Sequence, residues 1–273
     1  MKVVKFGGTS LASGEQLKKV FEIVVSDSQR KIVVVSAPGK RFSSDTKVTD
    51  LLIACGESWL NGDRDQYLFE MVIERYRLIA GELSITSSVV DRIQADLLDI
   101  LSGDMTDKGQ FMDAVKASGE DNNAKLVAAY FQARGVDAEY VNPREAGLIV
   151  SDEPGNAQVL KESYDNLFHL RDRKGIVVFP GFFGYTNDGK VMTFPRSGSD
   201  ITGAILANAV KADLYENYTD VDAVFSVNPT IVTNPKEIQI LTYREMRELS
   251  YAGFSVLHDE ALIPAFRAGI PVN

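Results

Sequence analysis

The sequence predicts an α/β fold with a mainly parallel sheet. Short runs rich in β-branched residues alternate with longer amphipathic stretches along the chain. Three of the five short runs lack a clean alternation of apolar and polar residues, which is typical of strands covered on both faces. Strands that alternate with helices form right-handed βαβ units, and such sheets bind ligands at the carboxyl ends of their strands.

Each element is read from its own pattern. The predicted strands are VVKF, KIVVVS, AEYV, GIVVFP and ADLYENYT. Apolar residues at helical spacing predict helices in the intervening and following segments. These are GEQLKKVFEIVVS, VTDLLIACGESWL, RDQYLFEMVIERYRLIAG, DNNAKLVAAYFQARG, SDITGAILANAVKA, TYREMRELSYAG and DEALIPAFRAG. Pro264 interrupts the last helix and is expected to kink it or to delay its start.

Three further segments complete the organisation. PGFFGYTNDGKVMTFPRSGSD is predicted as a β-hairpin turning at NDG, then a loop, then a helix that begins near Ser199. Residues from about 62 to 118 are nearly all helical and are expected to form a subdomain, with SGE at 118–120 leading into the next helix. The closing AGIPVN is typical of the start of another strand, so we expect the natural protein to continue.

Composition narrows the range of partners. A formal net charge of −9 leaves no basic stripe for a nucleic-acid backbone, and no apolar run is long enough to span a membrane. The single cysteine, Cys55, lies in an apolar run and is interpreted as a buried hydrophobe, which agrees with a reducing cytoplasm. His169 and His258 are far apart in the sequence, which argues against a zinc site.

The opening KFGGTS is typical of a phosphate site. Lys5 ends a strand and precedes Gly7 and Gly8, whose lack of side chains lets backbone N–H groups approach anionic oxygens closely. The pattern fits neither the Walker motif, whose lysine follows its glycines, nor the dinucleotide motif. A tight turn with a surface lysine is the alternative, and the segment alone leaves both interpretations open.

Two later segments also place polar residues at strand or helix ends. Ser36 ends the second strand before a Pro-Gly turn and would lie beside Lys5 if the two strands are neighbours, although a plain β-turn is the simpler interpretation. In PRSGSD, Arg196 offers a planar fork suited to a carboxylate. Ser199 and Asp200 suit the same site, and they equally suit a helix cap.

Three more positions are ambiguous when judged from the residues alone. Thr219 and Asp220 follow the fifth strand, where they would bind a ribose, a base or magnesium, or would only end the strand. Glu120 precedes a predicted helix, and interaction with the helix dipole is the simpler interpretation.

The ordered motifs together resemble those of the aspartokinases, a branch of the amino acid kinase family. The motifs are KFGGTS, VVVSAPGK, VTDLL, SGE, PGFFG, RSGSD, TDVDAVFSVNP and AGFSVLHDEALIPAFRAGIPV, and the match runs from residue 2 to 273. The resemblance implies a three-layer αβα sandwich around a mainly parallel sheet of about eight strands. It implies a catalytic domain over residues 1–273, with ACT-type regulatory domains beyond residue 273.

The resemblance also implies an activity. It is the ATP-dependent phosphorylation of the side-chain carboxylate of L-aspartate, the first step toward lysine, threonine and methionine. The implied enzyme is cytoplasmic and homo-oligomeric, uses Mg²⁺ carried by ATP, and binds no metal of its own. Because the substrate carboxylate is already a nucleophile, catalysis reduces to aligning two anions and neutralising charge, and no general base is needed.

Residue roles are implied by matching the motifs. Lys5 neutralises charge on the transferred phosphoryl group and Asp200 orients Lys5, while Arg196 binds the α-carboxylate of the substrate and Glu120 its ammonium group. The other residues implied for the aspartate pocket are Ser36, Thr49, Phe182 and Ser199. The residues implied for the nucleotide are Lys5, Gly7, Gly8, Thr9, Ser10, Thr219, Asp220, Phe225 and Ser255.

The chain departs from the family pattern mainly at the nucleotide. The departures are Pro195 and Ser197 for two glycines, Phe225 for a tyrosine, Asn228 for an aspartate, Thr230 for an arginine and Ser255 for a lysine. Either the nucleotide site has lost cations or another cation compensates. Lys40 and Arg41, in the loop after the second strand, are the nearest candidates by sequence.

The sequence leaves two other functions open. A family member acting on glutamate, acetylglutamate or a nucleoside monophosphate would share the fold, but SGE together with VTDLL and LHDEALIPA favours aspartate. A regulatory relative that binds aspartate without turnover would explain the departures at the nucleotide, but the intact Lys5 and Asp200 favour an enzyme.

Overall fold

The strands of the sheet lie where the sequence predicts them. A computed structural model describes residues 1–219, 236–251 and 259–273, with the backbone alone at 259 and 260. The strands are β1 (Lys2–Phe6), β2 (Arg30–Val35), β3 (Ala138–Tyr140), β4 (Ile176–Pro180), β5 (Phe183–Tyr185), β6 (Val191–Thr193) and β7 (Leu214–Tyr218). Five of them form a parallel sheet in the order β3-β4-β2-β1-β7, and β5 and β6 form the predicted antiparallel hairpin.

The central strands divide their side chains between two cores. In β2, Val33 and Val35 belong to one apolar cluster, and Ile32 and Val34 belong to the other. All four side chains have no exposed surface. Successive side chains of a strand point to opposite faces, so a sheet with both faces covered buries every residue of such a strand. This explains why the predicted strands lack a polar face.

Helices cover both faces. They are α1 (Gly14–Val25), α2 (Val48–Leu60), α3 (Gln66–Glu82), α4 (Ser88–Leu101), α5 (Lys108–Ala133), α6 (Pro143–Ala146), α7 (Glu162–Leu167), α8 (Gly198–Ala209), α9 (Tyr243–Tyr251) and α10 (Asp259–Arg267). Helices α1 to α5 contribute to the first apolar cluster, whereas α7, α8 and α10 contribute to the second. The predicted three-layer α/β fold with a mainly parallel sheet is therefore confirmed.

The longest helix differs from its prediction. Helix α5 runs for 26 residues and passes through SGE, where the sequence analysis expected a new helix to begin. Glu120 therefore lies in the middle of α5, and its interpretation as a partner of a helix N-terminus is wrong, because the helix dipole acts only within the first and last turns. The buried side chains of α5 include several small and polar ones, so no apolar stripe marks this part of the helix in the sequence.

Two details of the C-terminal part bear on earlier expectations. Val272 forms a parallel bridge with Tyr215 of β7, as expected if AGIPVN begins a strand. The described parallel sheet has five strands, and the expected number of about eight stays a prediction. Helix α10 begins before Pro264 and continues through it.

No helix in the described ranges is long and apolar enough to cross a membrane.

Candidate active site

The carboxyl ends of four neighbouring strands meet at one edge of the sheet. Phe6 at the end of β1 is in register with Val35 of β2 and with Tyr218 of β7, and Val35 is in register with Pro180 of β4. The N–H of Ser36 donates to the carbonyl of Phe6 at 3.3 Å, so the first residue after β2 stays attached to the end of β1. The first two strands are thus neighbours, as the predicted proximity of their polar ends requires.

An ion pair joins the sheet to α8 at this edge. Lys5 is 6% exposed, and its Nζ lies 2.6 Å from Oδ1 of Asp200. The side-chain amide of Asn217, which is in register with Lys5 on β7, donates to the same oxygen at 3.0 Å. The Tyr215 hydroxyl donates to the backbone carbonyl of Asp200 at 3.2 Å. Two adjacent strands therefore fix both the charge and the backbone of Asp200.

The loops that follow β1 and β2 pack backbone against backbone. The N–H of Gly39 donates to the carbonyl of Gly8 at 2.8 Å. A Cβ atom on Gly8 would lie 2.8 Å from the Ala37 oxygen, and one on Gly39 would lie 2.6 Å from the Gly8 carbonyl carbon. Both glycines are therefore needed for close approach. The chain continues from Gly8 into a 3₁₀ turn that contains Thr9 and Ser10.

A buried arginine anchors the second loop. Arg75 of α3 is 4% exposed and donates to the carbonyls of Gly39 at 2.7 Å and Thr46 at 2.8 Å. Its guanidinium also lies 3.1 Å from Asp45. Arg41 donates to both carboxylate oxygens of Asp45, at 2.8 and 2.9 Å. The pKa of Asp45 is well below its usual value, chiefly because of this bond from Arg41.

The same loop contains the two cations expected to compensate at the nucleotide. Arg41 is engaged with Asp45, and Nζ of Lys40 lies 3.5 Å from the carbonyl of Ser43. Neither side chain is among the described residues that line the cleft. The hypothesis that Lys40 or Arg41 serves the nucleotide therefore has no support in the described structure.

A cleft of about 400 Å³ opens beside the ion pair. Ten of the residues assigned from the sequence line it, namely Lys5, Gly7, Gly8, Ser36, Thr49, Glu120, Phe182, Arg196, Ser199 and Asp200. Thr9, Ser10 and Thr219 are described but do not line it. Asp220, Phe225 and Ser255, with Asn228 and Thr230, lie outside the described residues.

Sequence reasoning missed several residues of this site. Lys47 and Asp50 line the cleft from the start of α2, on either side of the assigned Thr49. The polar residues of K-V-T-D were the available signal. Arg75 and Asn217 gave no local signal, because each acts on a residue that is distant in the sequence.

Glu120 is a buried carboxyl that is only partly satisfied. It is 6% exposed, and its Oε2 atom has no hydrogen-bond partner in the described part of the chain. Burial raises the pKa of Glu120 to about 8, and backbone hydrogen bonds at Ala37 and at Glu120 itself oppose only part of that rise. An unpartnered buried oxygen is costly, so the arrangement suits a donor or a cation brought by a ligand.

Two non-glycine residues close to the start of α8 have an unusual backbone conformation. Ser197 and Phe182 have φ of 66° and 79°, in the left-handed region that favours glycine. A Cβ atom on Gly198 would lie 2.5 Å from the Phe182 ring, and one on Gly181 would lie 2.6 Å from the Ser199 side chain. These contacts press the PGFFG loop against the start of α8. Ser199 and Phe182 are thereby both brought to the cleft.

The comparisons with known proteins agree on one family. The sequence profile of the amino acid kinase family matches residues 1–273. Aspartokinase 3 of Bacillus subtilis (strain 168) is 69% identical over 273 residues, which is 100% of this chain and 60% of that protein.

Solved structures give the same result. The crystal structure of Clostridium acetobutylicum aspartate kinase superposes with a TM-score of 0.84 at 37% identity, over 100% of this chain and 59% of that one. The structure of E. coli aspartokinase III in complex with aspartate and ADP gives a TM-score of 0.84 at 27% identity, over 100% of this chain and 61% of that one. The chain thus spans about 60% of the length of these relatives.

Ser197→Gly is expected to stabilise the protein. The serine side chain forms no cap hydrogen bond at the start of α8, and its backbone is left-handed. Relief of that conformation, reduced by the greater freedom of glycine in the unfolded chain, should raise the free energy of unfolding by up to about 1 kcal/mol. Ser87→Gly is the matched control, because Ser87 precedes α4 without a cap bond in an ordinary helical conformation. Urea denaturation that shows the same loss in both variants would contradict the assignment.

Glu120→Gln is expected to flatten the pH dependence of stability. In the folded protein the Glu120 carboxyl keeps its proton up to about pH 8, whereas its ordinary pKa is 4.5. The folded state therefore holds an extra proton between these values, and the free energy of unfolding of the wild type falls as the pH rises between them. The variant should lose that part of the fall, which is a few kcal/mol at most.

The measurement for Glu120 is urea denaturation of ligand-free protein at several pH values. Glu57→Gln is the control, since Glu57 is exposed on α2 and should keep the wild-type profile. Identical pH profiles for Glu120→Gln and the wild type would show that the Glu120 carboxyl titrates normally.

Proposed function

The chain belongs to the amino acid kinase family, and from this premise we propose that it transfers the terminal phosphoryl group of ATP to the β-carboxylate of L-aspartate, forming 4-phospho-L-aspartate. One observation carries the proposal: a single cleft joins a strand-end lysine, a glycine cradle, an arginine and a buried carboxyl. The relatives named aspartokinase support the choice of substrate.

The cleft can recognise an amino acid at its two ends. Arg196 is exposed and has no ion pair with any residue the structure describes, so its guanidinium is available to a carboxylate. Glu120 has an unpartnered buried oxygen that an ammonium group would satisfy. A bound ammonium would favour the ionised form of Glu120, so at pH below about 8 the binding of aspartate should release a proton.

The cradle can receive phosphate. Gly7 and Gly8 line the cleft beside Lys5, and the packing of Gly8 against Gly39 leaves no room for a side chain. The N–H of Gly7 already donates to the carbonyl of Tyr218 at 3.1 Å, so the N–H of Gly8 and the ammonium of Lys5 are the groups that would face anionic oxygens. We take Mg²⁺ to arrive with ATP, and it would neutralise part of the phosphate charge. Carboxylates such as Asp50, which lines the cleft, are the oxygen ligands that Mg²⁺ prefers.

The reaction requires a positive charge that is already fixed in position before the phosphoryl group is transferred. The β-carboxylate attacks the terminal phosphorus, and the bond to the leaving oxygen of ADP breaks. Asp200, which accepts a hydrogen bond from Asn217, holds Lys5 in place before the reaction begins. A charge fixed in this way needs no reorganisation as the transition state forms.

Finer parts of the proposal follow from the family resemblance of the sequence, and the greater length of the relatives supports a longer protein. We propose that residues 1–273 act as the catalytic domain of a longer cytoplasmic protein that forms homo-oligomers. The helical part near 62–118 would be a subdomain of it, and ACT-type regulatory domains would follow. The reaction would be the first step toward lysine, threonine and methionine.

The identity of the substrate is tested in a coupled ADP-release assay with a panel of aspartate, glutamate, acetylglutamate and nucleoside monophosphates. Turnover with another of these compounds in place of aspartate would refute the proposal.

Lys5→Ala is expected to lower kcat by about 10²–10³-fold, because one fixed charge contact to the transferring group is lost. Lys2→Ala is the matched control: Lys2 lies on the same strand and pairs with Glu216, which keeps Arg30 at 2.6 Å. Thermal unfolding of both variants tests whether they fold. Near-normal kcat in a folded Lys5→Ala variant would exclude this role.

Arg196→Ala is expected to raise KM for aspartate by roughly 10- to 100-fold, which corresponds to one charge-assisted hydrogen bond, while KM for ATP stays near the wild-type value. Arg173→Ala serves as the control, since Arg173 forms an exposed ion pair with Glu139. Steady-state kinetics with each substrate varied separately measure both constants. A raised KM for ATP with an unchanged KM for aspartate would assign Arg196 to the nucleotide instead.

A further inference from the structure

Lys47 lies at the rim of the cleft on a backbone that is fixed on both sides. It precedes α2 in an extended conformation, with φ −67° and ψ 149°. The carbonyl of Thr46 accepts a hydrogen bond from Arg75 at 2.8 Å. The N–H of Val48 donates to the carbonyl of Pro38 at 3.1 Å. The backbone of Lys47 is therefore held in place, and only its long side chain remains free to choose a partner.

The ammonium of Lys47 is available to a ligand. Its side chain is exposed and lines the cleft together with Lys5 and Arg196. It has no ion pair and no side-chain hydrogen bond with any residue in the described ranges, and this includes Asp50 in the first turn of the same helix. Lys5, by contrast, is paired with Asp200 at 2.6 Å.

The position of Lys47 favours a phosphate over the amino acid. Pro38, which holds the start of α2, belongs to the same short loop as Gly39. The N–H of Gly39 donates to the carbonyl of Gly8 at 2.8 Å. One loop thus joins the N-terminus of α2 to the glycine cradle, and Lys47 projects from that junction into the shared cleft.

The charges of the cleft also favour a phosphate as the partner of Lys47. The charged side chains that line it are Lys5, Lys47, Arg196, Asp50, Glu120 and Asp200. Under the proposed function, Arg196 and Glu120 take the two ends of the amino acid zwitterion, and Lys5, oriented by Asp200, meets the phosphoryl group. Phosphoryl transfer spreads negative charge over three oxygens of the moving group. Among the described side chains of the cleft, Lys47 is the cation left to balance that charge.

We infer that Lys47 binds the terminal phosphoryl group of ATP and adds its charge to that of Lys5 during transfer. The inference rests on the proposed phosphotransferase function. It supplies the compensating cation that the sequence departures at Thr230 and Ser255, both outside the described residues, call for. Lys47 takes the compensating role for which Lys40 and Arg41 were the nearest candidates by sequence.

The test compares Lys47→Ala with Lys161→Ala. Lys161 also precedes a helix, makes no side-chain cap bond and is exposed, but it does not line the cleft. Lys47→Ala should lower kcat/KM for ATP by roughly 10- to 100-fold, as expected for loss of one hydrogen bond to a charged group. KM for aspartate should change little, Lys47→Arg should restore most of the activity, and Lys161→Ala should behave as the wild type.

Calorimetric titration with MgATP in the absence of aspartate gives a readout apart from turnover. Lys47→Ala should weaken ATP binding and reduce its dependence on salt, because one ionic contact is removed. Unchanged ATP binding and kcat/KM in a variant that melts as the wild type does would overturn the inference, and so would a rise confined to KM for aspartate. The same loss in Lys161→Ala would show only a general effect of charge. If the wild type itself fails to phosphorylate aspartate, the proposed function fails, and the titration still tests the contact to ATP.

Discussion

The ion pair between Lys5 and Asp200 is the contact on which the arrangement of the site depends. Lys5 lies one residue before the end of the central strand β1, and Asp200 lies in the first turn of α8. A lysine with so little exposure needs a partner, since an unpaired buried charge is among the most destabilising groups a protein can contain. The pair therefore requires α8 to start at the carboxyl edge of the sheet. That requirement brings the preceding Arg196 to the same edge.

Close backbone contacts set the remaining geometry. Helix α8 lies against β7 through Gly203, where a Cβ atom would come within 2.4 Å of the Tyr215 hydroxyl. The loops after β1 and β2 meet through Gly8 and Gly39 in the same manner. Both contacts leave little freedom: the loops meet through backbone atoms, which cannot move aside as a flexible side chain can, and the Tyr215 hydroxyl is held by its hydrogen bond to the Asp200 carbonyl. The site is thus built from strand ends and helix starts held at fixed spacing, which suits a reaction whose main requirement is alignment.

The sequence predicted the strands and most helices because their signals are local. Runs such as KIVVVS indicate a strand that is covered on both faces. The interior of α5 differs from its prediction because its buried face carries several small and polar residues, among them Glu120 at the cleft. A helix whose buried positions include small and polar side chains shows no clear apolar periodicity in its sequence. Arg75 and Asn217 were missed for a different reason: each acts across a long sequence separation, and nothing in one chain's sequence marks such a pairing.

Glu120 shows how the site can distinguish its substrate before any chemistry begins. Burial raises the pKa of the Glu120 carboxyl to about 8 in the ligand-free protein, and its Oε2 atom has no hydrogen-bond partner among the described residues. Under the proposed function, the ammonium of aspartate takes the place of that proton and turns a neutral group into half of an ion pair. A dicarboxylic acid without the amino group would leave Glu120 neutral and would gain nothing from it. The buried carboxyl thus selects for an amino group, because only a substrate with an ammonium group gives Glu120 the partner that it lacks.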